Sequence, residues 1–249
     1  MKLGIIGFGD LGRSIVTGLV KGGVSQNDIL VCDRLEHNIK KAHILGVNNT
    51  DINSLIEKSD VIFLAIPKKD YLELDVDFTK FMGKTVVSCL ADVKINELEE
   101  RFNTQIVRII TTLAAENCNA VVSVCFDKYA DNKDELLSIL KNLGTVIECN
   151  EDELVKLTSL AGCGLCYASY ILDSFINTAE NLGISRETGL KIVEETFKGA
   201  MELGEYELLM GKIASHDGIS SKGLVVLAEN NVDKTIDNAF KTVYGSLIK

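Results

Sequence analysis

The chain of 249 residues is 46% hydrophobic and 25% charged, ordinary proportions for a globular protein long enough to bury a substantial core, and they exclude a disordered polypeptide. Its formal net charge of −10 is spread along the sequence without a basic run, which argues against nucleic acid as a partner. No apolar run approaches membrane-spanning length, no secretory leader precedes the first apolar run, and the seven scattered cysteines do not read as a disulfide framework, so a cytoplasmic protein without a membrane partner is expected.

Short apolar runs predict strands at Leu3–Gly7, Ile29–Cys32, Val61–Ala65, Thr85–Cys89 and Gln105–Ile110. Amphipathic stretches between them predict helices at Asp10–Lys21, Glu36–Leu45, Ser54–Glu57 and Ile95–Phe102. Strands that are continuously apolar and separated by helices indicate a parallel sheet covered on both faces. A strand at Ala120–Val124, a helix at Lys133–Asn142 and a strand at Thr145–Glu148 extend that sheet. After Asn150 the strands stop. Leu154, Leu157, Ala161, Leu165, Ala168, Leu172, Phe175, Ala179 and Leu182 recur at helical spacing as one long face. Ser185 stands at a helix N-cap, Leu190 to Met201 form a second stripe, and Asp233 opens a last helix through Leu247. The expected fold is therefore α/β over residues 1–150, followed by an all-helical domain over residues 151–249. The long stripe suggests helix pairing between subunits.

The sharpest motif is Gly7-Phe8-Gly9-Asp10-Leu11-Gly12, between the first strand and the first helix. In a Rossmann dinucleotide-binding domain the first glycine permits the tight turn, the second lets backbone approach a pyrophosphate, and the third lets helix and strand pack closely. The helix N-terminus adds unpaired amides and a partial positive charge. Asp33 closes the second strand, where an acid accepts hydrogen bonds from ribose hydroxyls. Arg34 follows it. Asp33 favours NAD and Arg34 favours NADP, so the cofactor is NADP or NAD and the preference stays open at this point. Ala65-Ile66-Pro67-Lys68 lies at the carboxyl end of its strand, where ligands of such sheets bind, and carries the only proline of the chain.

These segments, with the second half, resemble pyrroline-5-carboxylate reductase over nearly the whole chain. Gly4–Gly12 looks like that family's dinucleotide loop, and Asp60–Ala65 resembles its strand leading to the nicotinamide. Leu160-Ala161-Gly162-Cys163-Gly164-Leu165-Cys166-Tyr167 is similar to its Leu-Ser-Gly-Ser-Gly-Pro-Ala-Tyr segment, and Ala214–Leu224 sits where the family has Thr-Ser-Pro-Gly-Gly-Thr-Thr-Ile-Ala-Gly-Leu. The resemblance implies an NAD(P)H-dependent reductase of a small cyclic imine carboxylate in proline biosynthesis, assembled as a homodimer or larger homo-oligomer. It places Thr112, Ser215, Gly218, Ile219, Ser220 and Ser221 at the substrate. Amides near Gly218 and Ile219 would hold the carboxylate, and Ser220, matching a family threonine, would hydrogen-bond the ring nitrogen as the catalytic side chain.

The sequence departs from the family on the substrate side. Arg108-Ile109-Ile110-Thr111-Thr112-Leu113-Ala114-Ala115 replaces Arg-Val-Met-Pro-Asn-Thr-Pro-Ala, and His216, Asp217 and Ile219 replace proline, glycine and threonine. Two alternatives therefore stand. One is an oxidoreductase of the same fold acting on a hydroxyacid, a carbonyl or a deazaflavin, although deazaflavin enzymes are similar over the first domain only. The other is a non-catalytic dinucleotide-binding regulatory protein. His216 with Asp217 offers a proton donor held by a carboxylate. Lys156 resembles the helix lysine of β-hydroxyacid dehydrogenases, but Ser159 and Leu160 stand where that class has an asparagine. Cys163 and Cys166 have the spacing of a metal or redox pair without a second pair, so they are expected to pack a helix and no metal is expected. His37 and His43 read as surface residues.

Overall fold

The computed structural model describes residues 1–127, 132–215 and 218–248. By its internal contacts the chain forms two compact units, Met1–Gly162 with Tyr244–Lys249, and Cys163–Val243.

The first unit alternates strands and helices: β1 (Leu3–Ile6), α1 (Asp10–Lys21), β2 (Ile29–Cys32), α2 (Glu36–Ile44), β3 (Asn48–Asn49), α3 (Ile52–Lys58), β4 (Val61–Leu64), α4 (Lys68–Leu72), β5 (Thr85–Ser88), α5 (Ile95–Phe102), β6 (Gln105–Ile110), β7 (Ala120–Phe126), α6 (Lys133–Leu140) and β8 (Gly144–Glu148). The strands form one sheet in the order β3-β2-β1-β4-β5-β6-β7-β8. From β1 the chain winds first toward β3, then crosses back to β4 on the other side, leaving a topological switch point beside the end of β1. Successive side chains of a strand point to opposite faces. Accordingly Ile5, Val61 and Phe63 enter one core with Ile15 and Leu19 of α1. Ile6, Ile62 and Leu64 enter a second core with Leu55, Phe81 and Phe102. Both faces are covered, which is why these strands are apolar throughout.

One pairing departs from the expected parallel sheet. β7 runs antiparallel to β6, with Val107 opposite Phe126 and Ile110 opposite Ser123, while β8 returns parallel to β7. The physical reason is length. Residues 111–119, carrying a 3-10 turn at Leu113–Asn117, are too few for a parallel crossover, which needs about a dozen or more.

By internal contacts the division between the two units falls after Gly162. Asn150 and Glu153 form a reciprocal capping box that starts α7 (Glu151–Leu157). Leu154 is fully buried with Ile110 and Cys125, so α7 belongs to the sheet unit. A π-turn at Thr158–Gly162 follows, and α8 (Cys163–Asn181) begins the second unit.

That unit continues with α9 (Arg186–Leu203), α10 (Tyr206–Ile213), α11 (Ile219–Glu229) and α12 (Val232–Leu247), the last re-entering the first unit at Tyr244. Ser185 caps α9 as expected, its Oγ accepting from the Thr188 amide at 3.3 Å. Phe175 meets Phe197 edge-on at 5.2 Å between α8 and α9, and Tyr167 meets Phe240 at 4.9 Å. Ile176 and Val193 are the only large apolar side chains of this unit that are buried among the described residues, whereas Leu165, Tyr170, Leu182, Leu190 and Leu224 are exposed. Against the expectation from unbroken apolar runs, one helical stretch reaches membrane-spanning length. The 31-residue helical stretch Glu151–Asn181, with mean hydropathy 1.3 in its most apolar window, has the length and composition to cross a bilayer, because scattered polar residues interrupt the run without lowering its average enough.

Candidate functional site

The first turn after β1 shows what each glycine does. Gly7 has φ +96°, and a Cβ there would lie 2.5 Å from the Ala65 carbonyl oxygen. A Cβ on Gly12 would lie 2.1 Å from the Gly7 carbonyl oxygen. These two positions are closed by backbone. Gly9 is different: a Cβ built there meets nothing within 4 Å. Gly9 is also the N-cap of α1, and no side chain caps the helix. The amides of Asp10, Leu11 and Gly12 have no intrahelical acceptor by their position, and they carry the positive end of a 12-residue helix next to the open position at Gly9.

Asp33, at the end of β2, fixes this loop. Its Oδ2 accepts from the Phe8 amide at 2.6 Å and from Asn38 Nδ2 at 3.2 Å, and its Oδ1 accepts from the Leu35 amide at 2.8 Å. Arg34 is largely exposed, yet its Nη2 donates to both carboxylate oxygens of Asp70, at 2.8 and 2.9 Å. Asp70 is on α4, directly after the Pro67 turn.

A cavity of about 560 Å³ opens at the switch point, and Gly7, Gly9, Asp33, Arg34, Ala65, Ile66 and Pro67 all line it. Asn38, Ile52, Asp70, Glu73 and Asp75 also line it, and Ile6, Cys32, Leu35 and Leu74 complete the wall. None of these nine was expected at the site from the sequence. Asn38 is buried on α2, and Asp70 gave no signal in the sequence, since its partner Arg34 is remote. The arrangement can receive a diphosphate at the α1 amides, a ribose hydroxyl at Asp33 and a flat ring against Ile52 and Ile66. An NAD(P) cofactor fits it, because the one position where a side chain would obstruct the phosphates is the open Gly9.

The other expected cofactor residues support the loop from outside the cavity. Phe8 is fully buried in the core, Leu11 packs against that core, Gly12 is buried, and Asp10 is exposed in the first turn. Lys68 turns away, donating to the Asp92 carbonyl at 2.9 Å and pairing with its carboxylate.

On the substrate side, Thr112 caps the Leu113–Asn117 turn, its Oγ1 accepting from the Ala114 amide at 3.3 Å. The neighbouring Thr111 Oγ1 is buried without a hydrogen-bond partner among the described residues. In the helical unit, the segment expected as a substrate loop is largely a helix. Gly218 is the N-cap of α11, without a side-chain cap, and Ile219, Ser220 and Ser221 form the first turn. Ser221 Oγ donates to the Gly218 carbonyl at 2.6 Å. Ser220 and Ile219 are exposed, and Ser220 Oγ has no hydrogen-bond partner among the described residues. Ser215 is exposed, and its carbonyl accepts from the Gly218 amide at 2.8 Å. His216 and Asp217 lie outside the described residues.

Lys156 is exposed on α7, Cys166 is exposed and Cys163 half-buried on α8, and His37 and His43 are exposed on α2. Among the described residues no group of three or more His, Cys, Asp or Glu side chains could hold a metal ion. Arg108 had no role assigned from sequence, yet it is the largest fully buried side chain. Its Nη1 donates to Glu151 Oε1 at 2.6 Å and its Nη2 to the carbonyls of Leu90 and Ala91, which ties the segment after β5 to α7.

Two family models match the chain. Residues 151–246 match pyrroline-5-carboxylate reductase dimerisation, and residues 2–92 match NADP oxidoreductase coenzyme F420-dependent. The pyrroline-5-carboxylate reductase of Staphylococcus aureus is 25% identical, covering 92% of this chain and 90% of that protein. The Aquifex aeolicus protein of the same name is 24% identical over 95% and 92%. Among solved structures, pyrroline carboxylate reductase from Plasmodium falciparum with NADP bound has a TM-score of 0.90 at 22% identity, covering 99% of this chain and 97% of that one.

Proposed function

We propose that this chain, which belongs to the pyrroline-5-carboxylate reductase family, reduces the C=N bond of a small cyclic imine carboxylate with NADPH or NADH. The observation that carries the reading is the open position at Gly9 beneath uncapped α1 amides, in a chain whose helical half matches the dimerisation model of that family. The cofactor supplies the hydride when bound. The chain's own residues then have two tasks, to hold the acceptor carbon in line and to support the nitrogen that gains a proton.

Gly7, Gly9 and the first turn of α1 hold the diphosphate, and Asp33 holds a ribose hydroxyl. The amides at the start of α11, an 11-residue helix without a side-chain cap at Gly218, suit a substrate carboxylate. Ser221 Oγ is engaged with Gly218, which leaves the free Ser220 hydroxyl to bond the ring nitrogen. No strong nucleophile or metal is needed for this step. The exposed apolar faces of the helical unit suit pairing with a second copy of the chain, in line with the matched model, and the same pairing accounts for the apolar stretch Glu151–Asn181 without a bilayer.

Ile219, 89% exposed in the first turn of α11, favours one second reading, the same reaction on an imine that presents apolar surface at this point. The test is oxidation of NADPH and of NADH, followed by absorbance, with pyrroline-5-carboxylate as acceptor. Turnover that collapses in Ser220→Ala supports the proposal. Nucleotide binding without turnover of this imine refutes the proline-pathway substrate and directs the search to other imines.

A further inference from the structure

We propose that Asp70 is the specificity-determining residue of the nucleotide site: by holding Arg34 it denies a 2′-phosphate its cation and makes the chain prefer NADH to NADPH. The inference rests on the dinucleotide reading above and concerns only which nucleotide the site takes.

The charged side chains that line the cavity are Asp33, Arg34, Asp70, Glu73 and Asp75, four carboxylates against one guanidinium. That guanidinium is already committed, with Nη2 at 2.8 and 2.9 Å from the two oxygens of Asp70. A 2′-phosphate entering here would bring about two further negative charges into an acidic wall, and would meet in Arg34 a cation whose charge the Asp70 carboxylate already offsets, even though its Nη1 and Nε donors remain free among the described residues. A 2′-hydroxyl meets no such obstacle. An ionised carboxylate offers about four acceptor sites, and Asp33 uses three, for the amides of Phe8 and Leu35 and for Asn38 Nδ2. One site remains on Oδ1, and it suits a single ribose hydroxyl as donor. Asp70 also stands at a fixed place, in the first turn after the rigid Pro67, so the clamp is part of the cavity wall rather than a chance surface pair.

The clamp predicts distinct behaviour for three variants, read by calorimetric titration of the full chain with NADH and with NADPH in the absence of imine. The unmodified chain binds NADH more tightly than NADPH. Asp70→Asn frees Arg34 and removes a negative charge, shifting the affinity ratio toward NADPH by about tenfold or more. Arg34→Ala alone changes NADPH affinity by less than about threefold, since the guanidinium was not serving the phosphate. In the double variant Arg34→Ala/Asp70→Asn, most of the gain disappears.

Tighter binding of NADPH by the unmodified chain overturns the proposal. So does an unchanged ratio in Asp70→Asn, or a loss of NADPH affinity of about tenfold in Arg34→Ala, which would mean that Arg34 already served the phosphate. Arg34→Ala separates these outcomes even if Asp70→Asn fails to fold, because the Arg34 side chain is mostly in solvent. The titrations need no turnover, so failure to reduce pyrroline-5-carboxylate would refute the substrate reading and leave this one standing. Absence of binding by either nucleotide overturns both.

Discussion

Alanine at Gly12 would place a methyl carbon 2.1 Å from the Gly7 carbonyl oxygen, whereas alanine at Gly9 would place one in open space. A carbon–oxygen contact normally lies at about 3.3 Å or more, so the first substitution forces backbone apart by roughly 1 Å. Neither partner can yield by rotating a side chain, since the obstacle is main chain inside a buried turn. The cost is about 3 kcal/mol, at the upper end of ordinary overpacking. Gly9, with φ −67° and ψ −163°, already has backbone angles open to any residue, so alanine there changes stability by no more than about 0.5 kcal/mol. Its methyl group, however, occupies the space that a diphosphate needs, and nucleotide affinity falls by about tenfold or more. Urea unfolding followed by circular dichroism reads the first effect, and calorimetric titration with NADH and NADPH reads the second. Gly12→Ala as stable as the parent would refute the packing argument. Gly9→Ala with full nucleotide affinity would refute the assignment of this turn to the phosphates.

Three further outcomes are expected. Glu151→Ala leaves the buried Arg108 guanidinium with carbonyl partners only and costs about 3 kcal/mol, while Glu151→Gln, which keeps an acceptor for the Ile95 amide, costs less. Equal midpoints for the two variants in urea would contradict the role given to the pair. Ser220→Ala lowers turnover of pyrroline-5-carboxylate by about tenfold or more with a stability change under about 0.5 kcal/mol, because the side chain is exposed. Unchanged turnover would remove Ser220 from the reaction. Finally, desolvation pushes the half-buried Cys89 thiol up to about 12 from 9.0. Between those values the unfolded chain has released the proton and the folded chain retains it, so stability falls as pH rises from 9 toward 12, by at most about 1.4 kcal/mol per pH unit from this group. Denaturation midpoints of the parent and of Cys89→Ala, compared at pH 8 and pH 10, should diverge less at the higher pH if the thiol contributes in this direction; a widening gap would contradict it.

The sheet was legible because its strands are buried on both faces and stand out as unbroken apolar runs. Asn48–Asn49, two polar residues pairing at the edge, gave no such run and escaped notice. The direction of β7 was equally hidden. A buried strand such as Val121-Val122-Ser123-Val124 has the same composition whichever way it runs, and only the short connection at residues 111–119 carries the information. The stripe from Leu154 to Leu182 read as a single helix, since three- and four-residue spacings tolerate the π-turn at Thr158–Gly162 without a visible break. α10 escaped notice, and the resemblance to a substrate loop concealed α11. In the cavity, glycine spacing revealed the floor, because only small residues survive such close approaches. The acidic wall stayed hidden, since Asp70, Glu73 and Asp75 look like any solvated charges until the fold sets them opposite Arg34.

With Ile176 and Val193 its only buried large apolar side chains among the described residues, the helical unit has little interior of its own. A segment that hides so little surface from water gains too little to offset the entropy of ordering its chain. Under the pairing proposed above, the missing stabilisation comes from a neighbour, and the free energy of this half depends on how many copies are present. Dilution then acts on it as a denaturant does. The sheet half draws its two large cores from a single chain, so under this pairing one polypeptide would join a part with its own interior to a part whose order follows mass action.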